Sequence, residues 1–240
     1  MMARQTKIGC AVFVILTLLI VAVMPAIHSA REAAKLMQCG GCKQISLAFH
    51  NYHEKYGAFP PAYTVDHEGK PLHSWRVLLL EVWDDLSPGL YGKIRLDEPW
   101  DSDYNKQFHN QRPRVFACPC DFGEGGHRED TTHTNFLRIV GPDAMTNGPD
   151  TVSIEEIAYP DETILFVEST RPVCWMKPED ISTVYDALNI QSPPRDSKAG
   201  ISSRHQSGFV WIGYANGDIT IVPERTPKNL IKAAARCVKR

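Results

Sequence analysis

The stretch Ile8-Gly-Cys-Ala-Val-Phe-Val-Ile-Leu-Thr-Leu-Leu-Ile-Val-Ala-Val-Met-Pro-Ala-Ile27 carries no charge. A helix needs about 20 mostly apolar residues to cross the roughly 30 Å hydrocarbon layer of a bilayer, and this run has that length. Its strongly apolar residues each favour insertion by about 0.3–0.6 kcal/mol near the centre, a sum that one Thr and one late Pro do not cancel. Arg4 and Lys7 stand ahead of the run, and basic flanks stay on the cytoplasmic side. The expected topology is a cytoplasmic N-terminus (1–7), a transmembrane helix (8–28) and an extracytoplasmic domain (29–240). Two other readings stay open. A cleaved signal peptide has an apolar core of only about 7–15 residues and small residues at its cleavage site, whereas His28-Ser29-Ala30 places a bulky side chain there. A buried core helix normally keeps a polar face.

The roughly 200 residues that follow suffice for one sizeable core. From Ser29 to Tyr56, Ala34, Met37, Gly41, Ile45, Ala48, Phe49, Tyr52 and Tyr56 recur at three- and four-residue steps, which marks one apolar helix face. The membrane helix is thus expected to run on as a long amphipathic helix, bent at Pro25 and weakened at Gly40-Gly41. Gly57 and Pro60-Pro61 end it. Short helices are expected over Trp75–Trp83 and from Asp101 or Asp103 to Gln111, and a closing helix over Thr226–Val238. Val115–Cys118, Asn135–Val140 and Thr163–Val167 read as short buried strands. Asn216-Gly217 between Phe209–Ala215 and Asp218–Val222 suits a hairpin with a type I′ turn, whose two central residues both take positive φ. The expected fold class is α+β: an N-terminal transmembrane helix continuing into a long amphipathic helix packed on a mainly antiparallel sheet. The charge balance of -2 offers no basic face, so no nucleic-acid partner is expected.

Several segments stand in the order of one bacterial family. They are Arg31-Glu-Ala-Ala34, Gln38-Cys39, Lys43-Gln44-Ile45, His50-Asn51-Tyr52-His53, Phe59-Pro60-Pro61, Ser74-Trp75-Arg76, Asp97-Glu98-Pro99-Trp100-Asp101 and Cys118-Pro119. Together they resemble the pilin-like envelope proteins grouped as domain of unknown function 1559, over about Pro25 to Val222. The resemblance implies a pilin-like architecture and an envelope location, and no transferable activity. Members of that family usually begin with a prepilin-type leader and end with His, nine residues and Asp-Gly. Here the Gly-Phe-Thr-Leu-Ile-Glu leader is missing, the C-terminal motif reads His205, ten residues, Asn216-Gly217, and Gly40-Gly41-Cys42 stands where Asn residues and a Leu are commoner.

Cys10 lies in the apolar run, and the six other cysteines fall in the expected extracytoplasmic part. An even count in an oxidising compartment favours disulfides, and Cys39 or Cys42 is expected to pair with Cys118 or Cys120, tethering the helix to the domain. Cys39, Cys42, Cys118 and Cys120 also have the sulfur count of a tetrahedral zinc site, although a one-residue spacing in the second pair is unusual. Buried thiols remain the third reading. Asp101-Ser-Asp103-Tyr-Asn105 opens like a calcium loop, but Lys106 and Arg112 stand where that loop needs Gly and Glu. His50 and His53 lie one helical turn apart and could reach one ligand; His127 and His133, with Asp121, Glu124 and Asp130 nearby, could make a loop metal site. Capping and solvated roles are the alternative for all of them. Trp75, Trp83, Trp100, Trp175 and Trp211 would serve either a core or a ligand surface. No nucleophile elbow, phosphate loop or dinucleotide fingerprint is present, so neither an enzyme nor a cofactor is expected. The expected function is a membrane-anchored extracytoplasmic protein with a structural or interaction role in the cell envelope. Its expected partners are the membrane and an envelope protein, with no small-molecule ligand identified. An extracytoplasmic solute-binding module, with a pocket lined by some of the tryptophans, is the alternative, and a metal-dependent enzyme is a third class.

Overall fold

The computed structural model describes residues 24, 40–83, 87–118, 131–182, 190–191, 200–205 and 208–239. The chain divides into two units, Met1–Cys39 and Gly40–Arg240. Apart from Met24, the apolar run Ile8–Ile27 and the helical pattern over 29–39 lie outside the described residues.

Helix α1 (Gly40–Tyr56) buries Cys42, Ile45, Ser46, Ala48 and Phe49, residues three and four apart and hence on one face. It ends where Gly57 takes φ +73, the left-handed conformation that closes helices. Gly41 lets its first turn approach closely: a Cβ there would stand 2.7 Å from the Val115 carbonyl oxygen.

The central sheet has the order β10-β9-β5-β3 and is antiparallel throughout, built from β3 (His133–Leu137), β5 (Ile164–Cys174), β9 (Phe209–Tyr214) and β10 (Ile219–Pro223). The remaining strands are short pairs: β1 (Tyr63–Val65) with β2 (Pro71–Ser74), β4 (Ile139–Val140) with β6 (Ile181–Ser182), and β7 (Ile190–Gln191) with β8 (Ile201–Ser202). Strand side chains alternate between faces, and register pairs Phe136 with Glu168, Phe166 with Gly213 and Val167 with Ile212. One face is therefore aromatic. Phe166 meets Phe49 of α1 at 6.1 Å and Phe136 edge-on at 5.9 Å, and Phe49 reaches Trp75 at 4.9 Å. Gly213 makes room for this stack, since a Cβ there would fall 2.3 Å from the Phe166 ring. The other face is aliphatic, with Leu137, Val167, Val210 and Ile212 clustered with Ile231 and Ala235 of α3 (Lys228–Ala235). Burial on both faces explains why Phe209-Val-Trp-Ile reads as a continuous apolar run rather than an alternating one.

This architecture corrects the expected fold class. The described domain is sheet-rich with short helices: α1 has 17 residues, α2 (Trp75–Leu79) five and α3 eight. None of the described helices is long and apolar enough to cross a membrane. The physical reason lies in the punctuation of the chain, with 17 prolines and 16 glycines, which end a periodic pattern before it can propagate. The expected Trp75–Trp83 helix splits into α2 and the 3-10 turn Leu80–Val82, the expected 101–111 helix is the 3-10 turn Asn105–Phe108, and Val115–Cys118 begins as the 3-10 turn Arg114–Phe116. The hairpin forms, but its turn is not type I′. Gly217 has φ +97 and no non-glycine described has positive φ, so Asn216 stays on the negative side. Gly217 N–H bonds the Tyr214 carbonyl at 3.0 Å, giving the three-residue loop in which a left-handed glycine follows an ordinary turn.

Ser74-Trp75-Arg76 clamps this frame from the side. Arg76 is wholly buried and donates to the carbonyls of Trp175, Phe136, Lys177 and Glu179 and to Asp180 Oδ1 at 3.1 Å. The same Asp180 oxygen accepts from Trp75 Nε1 at 3.2 Å and from the Arg138 N–H at 2.9 Å. Arg138 is also buried, donates to the Pro60 carbonyl at 2.7 Å, and is pulled down to about 10 chiefly by that burial.

Candidate functional site

Three buried side chains from distant parts of the chain meet beside the sheet. Cys118 follows the turn Arg114–Phe116, whose docking against α1 Gly41 was described above. Glu168 sits in mid-β5, two residues after Phe166 and so on the same aromatic face. His205 lies between β8 and β9. Their relative exposures are 3%, 1% and 4%. His205 Nε2 stands 3.0 Å from Glu168 Oε1 and 3.1 Å from Oε2, and 3.7 Å from Cys118 Sγ. The donor atoms of all three lie within 4.8 Å of one another.

Each member is held from behind. The Cys118 N–H donates to Asn135 Oδ1 at 2.8 Å, and Asn135 Nδ2 donates to the Ser169 carbonyl at 3.4 Å. Glu168 Oε2 accepts the Trp211 N–H at 3.1 Å. The His205 ring stacks on Phe209 at 4.3 Å with 13° between planes, and the His205 backbone N–H donates to Ser203 Oγ at 3.3 Å. A carboxylate this deeply buried needs charged or hydrogen-bonding partners, and here it has a histidine and a backbone amide.

The other residues singled out in the sequence do different work. Cys118, Cys174 and Cys237 keep their thiols, so Cys118 is not the disulfide partner that the tether required. Cys39 and Cys120 lie outside the described residues, as do His127, Asp121, Glu124 and Asp130. His50 and His53 do not share a ligand: His53 Nε2 accepts the Ile154 N–H at 3.1 Å and lies 3.1 Å from Ser153 Oγ, whereas His50 packs edge-on to Phe59 at 5.5 Å. Burial first, and His53 second, hold His50 below the ordinary histidine value. In the calcium-like segment, Asn105 Nδ2 donates to the carbonyls of Arg95, Glu98 and Pro99 while its Oδ1 accepts the Arg95 N–H. Asp103 faces solvent beside Lys106. Trp75, Trp175 and Trp211 are buried, and a groove lined by Ile190, Gln191 and Glu224–Lys228 contains none of the tryptophans that a solute pocket was expected to use. Asn216 and Gly217 make the hairpin turn, which Ser46 Oγ of α1 caps by donating to the Gly217 carbonyl at 3.1 Å. Of the C-terminal motif, only His205 joins the buried cluster.

Glu168 was missed from the sequence. Its signal was an acidic residue closing the apolar run Ile164–Val167, where a buried strand otherwise has no use for a charge.

Residues 28–181 match the family model described as Protein of unknown function (DUF1559). No curated protein and no solved structure matches the chain. The matched span includes Cys118 and Glu168 and ends before His205.

Proposed function

The chain belongs to the family described as protein of unknown function DUF1559, and from that premise we propose that it is a membrane-anchored extracytoplasmic protein with a structural or interaction role in the cell envelope. What supports this reading is the uncharged run near the N-terminus, and Cys42, buried on α1, is taken as one half of a structural disulfide. Structural disulfides persist in oxidising compartments and are rare where cytoplasmic reductants act. The uncharged run Ile8–Ile27, with Arg4 and Lys7 before it, supplies the anchor and places the domain on the oxidising side.

Protease added to intact spheroplasts tests it. The expected result is digestion of the domain with a short N-terminal fragment protected in the membrane. Full protection of the domain would overturn the orientation. Release of a soluble, N-terminally shortened chain without protease would replace the anchor with a cleaved signal. A thiol-alkylation count on the unreduced, denatured chain adds an independent reading, with Cys42 expected to be unmodified until reductant is added.

A further inference from the structure

We infer that Cys118, Glu168 and His205 form a binding site for a divalent metal ion of the zinc class. The inference goes beyond the topology proposed above and does not rest on it. It starts from the direction in which the three side chains point. A cysteine nucleophile activated by a histidine–carboxylate pair uses both ring nitrogens, one toward the thiol and the other toward the acid. Here a single atom, His205 Nε2, faces the Glu168 carboxylate at 3.0 Å and the Cys118 sulfur at 3.7 Å. One nitrogen proton cannot serve both acceptors at full strength. Convergence of three donor atoms on one region is the arrangement that coordination needs.

The distances agree. Zinc bonds of about 2.3 Å to sulfur and about 2.0–2.2 Å to nitrogen and oxygen, at tetrahedral angles, put sulfur and nitrogen about 3.6 Å apart and nitrogen and oxygen about 3.4 Å apart. The observed separations are 3.7 Å and 3.0–3.1 Å, so on these two edges the imidazole and carboxylate need part by only a few tenths of an ångström, and the sulfur and carboxylate lie within 4.8 Å of each other. Charge agrees as well. One thiolate, one carboxylate and one neutral imidazole neutralise a divalent cation, which matters where all three groups are more than nine-tenths buried. On binding, the thiol proton leaves to solvent, and His205 coordinates through Nε2 as the neutral Nδ1–H tautomer, a proton on Nε2 passing to Nδ1 by way of solvent. The ligand types choose the metal: thiolate and imidazole suit zinc and its borderline-soft neighbours, whereas calcium and magnesium take oxygen. The outer contacts complete the pattern, because metal-ligating groups are characteristically held by a second ring of hydrogen bonds. Asn135 holds the Cys118 backbone, the Trp211 N–H holds Glu168, and Phe209 lies flat on the imidazole.

The full-length chain, purified in detergent and stripped with chelator, is titrated with zinc and, separately, with cobalt as a spectroscopic probe. The expected result is one ion per chain, a rise in melting temperature with zinc, and a thiolate-to-cobalt charge-transfer band with the intense visible bands of a tetrahedral centre. Cys118→Ser should abolish the charge-transfer band, and Cys174→Ser, a buried thiol outside the cluster, should leave it. Glu168→Gln and His205→Gln should each weaken zinc binding by more than the about 10–100-fold that loss of an outer-shell partner costs. Circular dichroism of the metal-free variants separates misfolding from ligand loss, and Asn135→Ala, a second-ring change, should weaken binding by less than the ligand variants do. No stoichiometric ion and no melting shift in the wild-type chain would overturn the inference. So would a charge-transfer band that survives Cys118→Ser, or zinc binding that survives both Glu168→Gln and His205→Gln.

Discussion

Replacing Gly41 by alanine sets two well-measured effects against each other, and the structure decides the sign. In an ordinary helix interior Gly→Ala gains about 1 kcal/mol, because alanine loses less backbone entropy. Gly41 is the second residue of α1, and an added Cβ would lie 2.7 Å from the Val115 carbonyl oxygen and 3.4 Å from Val115 C and Cα. The obstructing atoms are backbone, so no rotamer change relieves the contact; the helix must withdraw from the turn Arg114–Phe116 by several tenths of an ångström. Overpacking of this kind costs about 1–3 kcal/mol. The expected net change is a destabilisation of about 1 kcal/mol, which for a domain of this size lowers the melting temperature by roughly 2–4 °C. Gly92 provides the control. It has open space around its Cβ position and sits in the 3-10 turn Tyr91–Lys93, so Gly92→Ala should change stability by less than about 0.5 kcal/mol. Thermal melts of the two variants by circular dichroism, beside wild type, make the comparison. If Gly41→Ala raises the melting temperature, the close approach of α1 to Val115 is wrong, and with it the account of how Cys118 is positioned.

Asp180→Asn leaves the Arg76 and Arg138 guanidinium groups buried without their carboxylate and should cost about 3–5 kcal/mol in denaturant unfolding; a loss below about 1 kcal/mol would show that the carbonyl oxygens around Arg76 suffice. Gly217→Val puts a β-branched residue at φ +97 with its Cβ 3.2 Å from His50 Nε2, a loss of about 1–3 kcal/mol, and an unchanged melt would refute the turn geometry. His73 is wholly buried, with Nε2 donating to the Glu98 carbonyl at 2.8 Å and Nδ1 without a partner, and burial holds it below the ordinary 6.5. The unfolded chain therefore binds this proton first, so stability should fall as pH drops below about 6.5 and the slope should flatten below the folded value. His73→Gln should remove part of that slope in urea unfolding across pH 5–8, and an identical slope would rule His73 out as a source.

Local chemistry made some of this fold legible and topology made the rest illegible. The strands around 135–140, 163–167 and 209–222 could be read because β-branched and aromatic residues cluster between turn residues, and Gly217 announces its turn by a conformation that other residues avoid. The turn type could not be read. Asn-Gly fits both a two-residue loop and a three-residue loop, and the contacts made at this turn come from Ser46 and His50 of α1, far away in sequence. The period behind the expected long helix is real in its described part, Gly40–Tyr56. Cys42, Ile45 and Phe49 do share a buried face, but the pattern says nothing about where the chain stops being described by one helix.

Ser74-Trp75-Arg76 and Asp97–Asp101 show why a recognisable motif need not be a functional one. Arg76 spends its donors on four carbonyls and one carboxylate, and the 97–101 segment is stapled by Asn105 and His73. Both stretches are therefore fixed by packing. Cys118, Glu168 and His205 are the reverse case. They stand 50 and 37 residues apart, and the cysteine invited pairing with Cys39 or Cys42 because sulfur counts were all the sequence offered. What joins them is strand order. β9 lies between β10 and β5, which sets the chain just before β9, and so His205, beside the face of β5 that carries Glu168. The turn ahead of Cys118 lies against Gly41 of α1, which covers that same face through Phe49 and Phe166. A cluster built in this way is specified by the sheet and by one glycine contact. Any change that shifts α1 against the Val115 turn should therefore disturb Cys118 before it disturbs Glu168, whose place is fixed by its pairing with Phe136 and by the Trp211 amide.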